Sequence, residues 1–145
     1  INWLKNYIFL QQTRLKNTFE CNMHIENSIY DLKIHKLLLQ PFIENTLIHG
    51  FEGVKRKHIL TVEMNVINNY ISICIKDNGK GIAKAYHDKI FKIFTKLENN
   101  GNSSGIGLSI VKKIIDFYKG RIWLESKEKI GTTFYFTIPK DNGRS

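Results

Sequence analysis

Two runs of alternating residues meet at a pair of asparagines near the middle of this chain, and no other feature restricts its fold as much. Leu60, Val62, Met64 and Val66 alternate with Thr61, Glu63 and Asn65, and Ile71, Ile73 and Ile75 alternate with Ser72, Cys74 and Lys76. A period of two puts each apolar set on one face of a strand. Asn68-Asn69 between the runs is the turn of a hairpin. A sheet with one apolar face needs a second layer to cover it, and helical patterns elsewhere supply that layer.

Leu4, Tyr7, Ile8 and Leu15 recur at helical spacing within residues 1–17, with Lys5, Arg14 and Lys16 among them. This amphipathic helix either packs on the domain or ends a longer helix from upstream. Thr18 to Ile25 reads as a short strand, and Asn27 to Lys33 as a turn. Ile34 to Gly50 is apolar and of helical length, but Pro41 interrupts it. An interior proline costs about 3 kcal/mol, so that helix kinks at Pro41 or begins close to it; Gly50 and Gly53 close it.

Glu98 to Ser104 reads as a mobile polar loop. Gly105 to Lys119 is expected to be a helix, with Leu108, Val111, Ile114, Ile115 and Tyr118 on one face and Gly120 as its cap. Arg121 to Glu125 and Thr132 to Ile138 are two further strands, joined by a turn at Lys129 to Gly131. There are no internal repeats. The expected fold is α/β of the α+β kind: one sheet with helices on a single face.

A chain of 145 residues supports one domain with a core. It opens with Ile1, so it is expected to be part of a longer protein. No apolar run approaches the ~20 residues that span a bilayer, and no signal-peptide pattern is present. Cys21 and Cys74 form no CxxC pair and are expected as unpaired thiols in a reducing compartment. The net charge of +9 is spread over scattered lysines and arginines, without a block of five or more like charges. That pattern describes a basic surface; no RNA- or DNA-binding motif accompanies it, and no nucleic-acid partner is expected.

The chemistry concentrates in a few places. Asp77-Asn78-Gly79-Lys80-Gly81-Ile82 follows the second alternating run. A carboxylate at the end of an apolar strand can accept from an amine donor, and glycines let backbone approach a ligand. Asp77 in a D-N-G sequence is also a common turn former. Gly81 argues against a plain two-residue hairpin, because it falls where a strand should resume. Asn45 and His49, spaced i and i+4, share one face of a regular helix. An amide oxygen suits Mg²⁺, which takes few protein ligands and keeps its waters; a satisfied polar pair at a helix end is the alternative. Gly105 and Gly107 stand ahead of a helix whose free N–H groups and dipole favour an anion. Thr132 has a hydroxyl for a base or a water, although strand propensity also explains it. Phe91 and Phe94 either anchor a lid or pack in the core.

In this order and spacing, these elements resemble the ATP-binding catalytic domain of sensor histidine kinases, within the GHKL superfamily shared with gyrase, Hsp90 and MutL. Leu39-Gln40-Pro41-Phe42-Ile43-Glu44-Asn45-Thr46-Leu47-Ile48-His49-Gly50 is similar to the N box of the LytS/YesM-type branch, as is the lead-in from Leu4 to Arg14. Asp77 to Ile82 resembles the G1 box, Ile90 to Phe94 the F box, Gly105 to Val111 the G2 box, and Gly131 to Pro139 the closing strand. The F and G2 boxes look like those of orthodox kinases, so the chain mixes two branches.

The resemblance implies a Bergerat-type two-layer sandwich: a mixed sheet under about three helices, with ATP between helices and lid. It implies that Asn45 holds Mg²⁺ and that Asp77 accepts from the adenine amine, supported by Thr132. Gly79, Gly81 and Ile82 would shape the adenine pocket beside Phe94, and Gly105, Ile106, Gly107 and Leu108 would present the phosphate-binding turn. Glu44, Asn45 and His49 are the candidate catalytic residues. Where the family often has Lys or Arg three residues after the asparagine, this chain has Ile48; His49, Lys96 or another lid lysine is expected to substitute. A gyrase-like ATPase uses a Glu four residues before the asparagine, and here that position is Pro41.

The expected organisation is residues 1–17 as the lead-in helix and 18–145 as the catalytic domain. The implied function is phosphorylation of a histidine by Mg·ATP for relay to a response-regulator aspartate. None of His24, His35, His49, His58 and His87 lies in an acceptor motif, so the acceptor is expected upstream. The expected partners are a dimerisation domain carrying that histidine and a response regulator. The full protein is expected to be a membrane-anchored bacterial homodimer and this cytoplasmic portion a monomer. The alternatives are a nucleotide-binding docking module without transfer, which Ile48 motivates, and a GHKL-type ATPase.

Overall fold

The alternating runs become neighbours in a five-stranded mixed sheet. In the computed structural model, which describes residues 1–92 and 107–140, the strands are β1 (Phe19–Ile25), β2 (His58–Ile67), β3 (Tyr70–Asp77), β4 (Arg121–Lys127) and β5 (Gly131–Pro139). Their order is β1-β2-β3-β5-β4. β1 runs parallel to β2, and every other neighbouring pair is antiparallel. Asn68 and Asn69 adopt φ of 48° and 64°, the left-handed pair that a tight two-residue hairpin requires.

Among the described residues, three α-helices cover one face: α1 (Asn2–Arg14), α2 (Gln40–Asn45) and α3 (Gly107–Phe117). The apolar stretch from Ile34 is not one helix. A 3₁₀ turn at Lys36–Leu38 comes first, and α2 then starts with Pro41 in its opening turn, where a missing N–H breaks no helical bond. Beyond Asn45 the chain widens into a π turn, Thr46–Gly50. At the end of α3, Lys119 takes the left-handed conformation (φ 56°) and the Gly120 N–H returns to the Ile115 carbonyl at 2.8 Å.

Strand parity decides what lies inside. Leu60, Val62 and Met64 of β2, Ile71, Ile73 and Ile75 of β3, and Phe134, Phe136 and Ile138 of β5 are buried. Leu4 and Ile8 of α1, Phe42 and Ile43 of α2, and Val111 and Ile115 of α3 close over them in one cluster. Phe42 packs against Phe134 and Phe136, with ring centroids 4.9 and 5.4 Å apart. Phe91 meets the edge of Phe134 at 6.3 Å and packs on this core. The opposite face of the sheet carries the stacked Trp123–Tyr135 pair, at 5.4 Å.

Asp77 continues the row Ile71, Ile73, Ile75. It is therefore turned into the helix layer, between Leu60 on β2 and Thr132 on β5. Cys21 and Cys74 are both free, and burial pushes each thiol up to about 11. Among the described residues, no helix is long and apolar enough to cross a membrane.

Candidate functional site

The site is built around the carboxylate that parity turns inward. Asp77 is 5% exposed. Its Oδ2 accepts from the Thr46 hydroxyl at 3.1 Å, and its Oδ1 accepts from the Gly79 N–H at 2.8 Å and the Thr132 N–H at 3.3 Å. Burial raises its pKa, and these three donors only partly offset that rise. A carboxylate offers about four lone-pair positions. Three are taken, which leaves room for one further donor.

Backbone closes around Asp77 from two sides. The end of the π turn lies against it: a Cβ on Gly50 would sit 3.6 Å from Asp77 Oδ2. The Lys80 N–H donates to the Gly50 carbonyl at 2.7 Å, so the turn after β3 and the π turn are joined. Gly79 makes that approach possible. A Cβ there would stand 2.2 Å from the Gly50 carbonyl oxygen and 2.8 Å from Asp77 Oδ1, distances no side chain survives. On the other side is the β4–β5 turn, which Gly81 meets at φ +75°, with space for a Cβ closed by the Lys127 carbonyl at 2.2 Å. The Lys129 N–H donates to the Lys80 carbonyl at 2.6 Å.

Side chains to which the sequence assigned no separate role complete the frame. The Ser126 hydroxyl accepts from the Ile82 N–H at 2.8 Å and lies 2.8 Å from the Thr132 hydroxyl. Asn78 accepts from the Ile59 N–H at 2.8 Å and donates to the Lys57 carbonyl at 2.7 Å, fixing the turn to the start of β2. Arg56 donates to the carbonyls of Asn78, Gly79 and Ile130. Ser126 had a usable signal, since it continues the inward parity of Ile122 and Leu124. Thr46 had only its place beside Asn45, and Arg56 had none.

Asn45, Glu44 and His49 lie where the helix changes form. Asn45 ends α2, is half-buried, and makes no side-chain hydrogen bond with described residues. Its expected i, i+4 relation to His49 needs a regular helix, and the chain does not continue as one: the Phe51 N–H reaches back five residues to the Thr46 carbonyl at 3.0 Å. His49 therefore belongs to the wider π turn, a form that recurs at functional sites. Glu44 points to α1. Its Oε1 accepts from the Tyr7 hydroxyl at 3.1 Å and from Gln40 Nε2 at 2.8 Å. Burial, and then the Glu44 charge, raise the Tyr7 pKa well above the ordinary phenol value. Ile48 is 61% exposed.

Gly107 is exposed at the start of α3 and Leu108 is buried beneath it; a Cβ on Gly107 would be in ordinary contact, 3.4 Å from Pro41. Phe94, Lys96, Gly105 and Ile106, with the loop at 98–104, lie outside the described residues. The groove lined by His24, Ile25, Glu26, Glu63, Met64 and Asn65 lies towards the other end of β1 and β2 and contains none of these elements. The structure thus brings Asp77, Gly79, Gly81, Ile82 and Thr132 into one hydrogen-bonded frame. The π turn, starting directly after Asn45, is docked on that frame.

The inward carboxylate lies between a helix layer and two glycine turns, and sequence comparison places the chain in a family. The profile described as histidine kinase-, DNA gyrase B- and HSP90-like ATPase matches residues 31–142. The chain belongs to this ATPase family. Within it, the chain resembles histidine kinases. Histidine kinase P4 of Formosa agariphila is 32% identical over 155 aligned residues, covering 99% of this chain and 11% of that protein. Sensor protein LytS of Oceanobacillus iheyensis is 27% identical over 145 residues, covering 96% of this chain and 24% of that protein. This chain therefore spans a quarter or less of these two relatives. The catalytic domain of histidine kinase ThkA, solved without nucleotide, superposes with a TM-score of 0.69 at 23% identity, covering 92% of this chain and 87% of that one; this likeness is one of fold. The domain is an ATP-binding catalytic domain of the histidine kinase kind.

Proposed function

We propose that this domain binds Mg·ATP and, within a longer protein, passes the γ-phosphoryl to a histidine outside this chain. The observation that carries the reading is the buried Asp77 carboxylate, three of whose acceptor positions are filled by Thr46, Gly79 and Thr132. The remaining one suits the exocyclic amine of adenine. Gly79, Gly81 and Ile82 shape the base pocket in this reading, with Thr132 beside the carboxylate; Phe94 is a further candidate by its place in the sequence alone. Gly107 and Leu108 at the start of α3, with Gly105 and Ile106 ahead of them in the sequence, are the candidates to offer backbone N–H groups to the phosphates.

No group of three His, Cys, Asp or Glu side chains suited to a metal occurs among the described residues. A Mg²⁺ held mainly by phosphates and water needs only one protein oxygen, and the Asn45 amide fits that role. The ion would neutralise phosphate charge as the transferred group moves. His49 stands in for the missing basic residue at Ile48, and Glu44 supports Asn45 from the α1 side. In the transfer, the bond from γ-phosphorus to the bridging oxygen breaks as a phosphorus–nitrogen bond forms, leaving ADP. Imidazole is already nucleophilic, so positioning and charge neutralisation supply the catalysis.

The partners in this reading are a dimerisation domain bearing the acceptor histidine and a response regulator, and the full protein is a membrane-anchored homodimer. A hydrolytic ATPase reading has little support, because Pro41 occupies the position of that mechanism's base. Exposed Ile48 favours a second reading, a nucleotide-binding module that does not transfer phosphate.

Calorimetric titration of ATP, with and without Mg²⁺, tests the base site. Binding should weaken by at least about tenfold in Asp77→Asn, whose amide presents a donor in place of an acceptor. Equal binding by both proteins would overturn the assignment. Labelled ATP added to the full-length protein separates the two readings, since only the kinase gives an acid-labile phosphohistidine.

A further inference from the structure

We propose that Arg56 is a positioning residue for base recognition, acting on Asp77 through two consecutive peptide groups. The inference rests on the nucleotide reading above. Arg56 lies in the exposed segment between the π turn and β2. Its Nη2 donates to the carbonyls of Asn78 at 2.6 Å, Gly79 at 2.8 Å and Ile130 at 3.2 Å, and its Nε also donates to Asn78 at 3.0 Å.

Each of the first two carbonyls belongs to a peptide whose N–H faces the site. The Asn78 carbonyl shares a peptide plane with the Gly79 N–H, which donates to Asp77 Oδ1 at 2.8 Å. The Gly79 carbonyl shares a plane with the Lys80 N–H, which donates to the Gly50 carbonyl at 2.7 Å. The guanidinium grips the outer end of both planes and so sets where their inner ends point. The Ile130 carbonyl ties the β4–β5 turn into the same grip, two residues before Thr132, the other donor to Oδ1. The cation also polarises the Asn78–Gly79 peptide, making its N–H a stronger donor to the buried carboxylate.

Solvation of the carbonyls does not explain this arrangement, because most of these contacts are exposed and water would serve them. A planar fork that can hold several oxygens in fixed directions does explain it, and lysine cannot reproduce that geometry. The consequence falls on specificity. A carboxylate held in one orientation distinguishes an amine donor from a carbonyl at the same place on the base.

The test compares ATP with inosine triphosphate, in which that amine is replaced by a carbonyl, in the native protein, Arg56→Met and Arg56→Lys. The native protein should prefer ATP. Both variants should stay folded, melting within about 5 °C of the native protein. In both, the preference for ATP should narrow by about fivefold or more, through weaker ATP binding with little change for inosine triphosphate. A preference that is unchanged in both variants, whatever happens to melting, overturns the proposal. So does full restoration by lysine, which would show that charge alone suffices. Should Arg56→Met not fold, the lysine variant still decides. A native protein with no preference overturns the adenine reading itself, a result distinct from a native preference that survives both substitutions.

Discussion

Asp77 carries its charge where charge is disfavoured, and that gives it opposite effects on stability and, in the proposed reading, on binding. Its folded pKa is raised, because burial outweighs the three donors. The stability it contributes is therefore fully present below the unfolded value of about 3.9, and is lost as pH rises through the folded value. Asp77→Asn removes that loss and can keep every contact, since its amide oxygen accepts from Gly79 and Thr132 while its NH₂ faces Thr46. Without nucleotide, the variant should melt at or above the native temperature at pH 7, with a flatter dependence on pH from about 4 upward, while ATP binding falls. Thermal melts across that range check this; a large destabilisation at pH 7 would contradict it. Gly79 is constrained differently. A Cβ there would collide with the Gly50 carbonyl at 2.2 Å, so Gly79→Ala should cost about 1–3 kcal/mol in urea unfolding, by forcing backbone apart. Gly107→Ala, with its nearest contact at 3.4 Å, should cost less.

At the scale of elements, α2 is only six residues long, and its stability comes from what it touches. Phe42 anchors it to β5, and the Tyr7–Glu44–Gln40 contacts join it to α1. The helix that the family resemblance makes the metal-binding element is thus coupled to the lead-in helix next to Asn45. Tyr7→Phe keeps the ring and removes the hydroxyl, and it should lower stability by about 1 kcal/mol. Urea unfolding of Tyr7→Phe beside Gln40→Ala measures whether the two donors to Glu44 act independently. The period of the apolar stretch announced a longer helix here, and Pro41 left open a kink or a start close to it; α2 takes the second form and is shorter. The π turn was not legible, because its five-residue bond arises where the end of α2 meets the turn after β3.

Across the whole molecule, α1 is part of the core. Leu4 is fully buried and Ile8 nearly so. Burying two such side chains contributes about 3–6 kcal/mol, a large share of the 5–15 kcal/mol that holds an ordinary domain together. A chain starting at residue 18 should therefore unfold at markedly lower urea than the full chain, or fail to fold; an unchanged midpoint would make residues 18–145 a unit on their own. The helix then has two tasks, completing the core and touching α2 through Tyr7. In the proposed reading, that makes it the element linking the start of this chain to the Asp77 site.

What the sequence determined by itself was local and periodic. Alternation placed β2, β3 and β5, the asparagine pair placed the hairpin, and the apolar spacing of α3 placed its buried face. Parity then turned Asp77 inward, because its side chain had to follow Ile71, Ile73 and Ile75. The spacing of the glycine turns was enough to point to the family. What only the tertiary structure decided was the company Asp77 keeps. Thr46 is 31 residues away and Thr132 is 55, Gly50 comes from a π turn, and Arg56 reaches the site from a loop without pattern. Such pairings depend on how helices settle on the sheet and which turns then meet, and a period of two or 3.6 residues carries no information about contacts at that range.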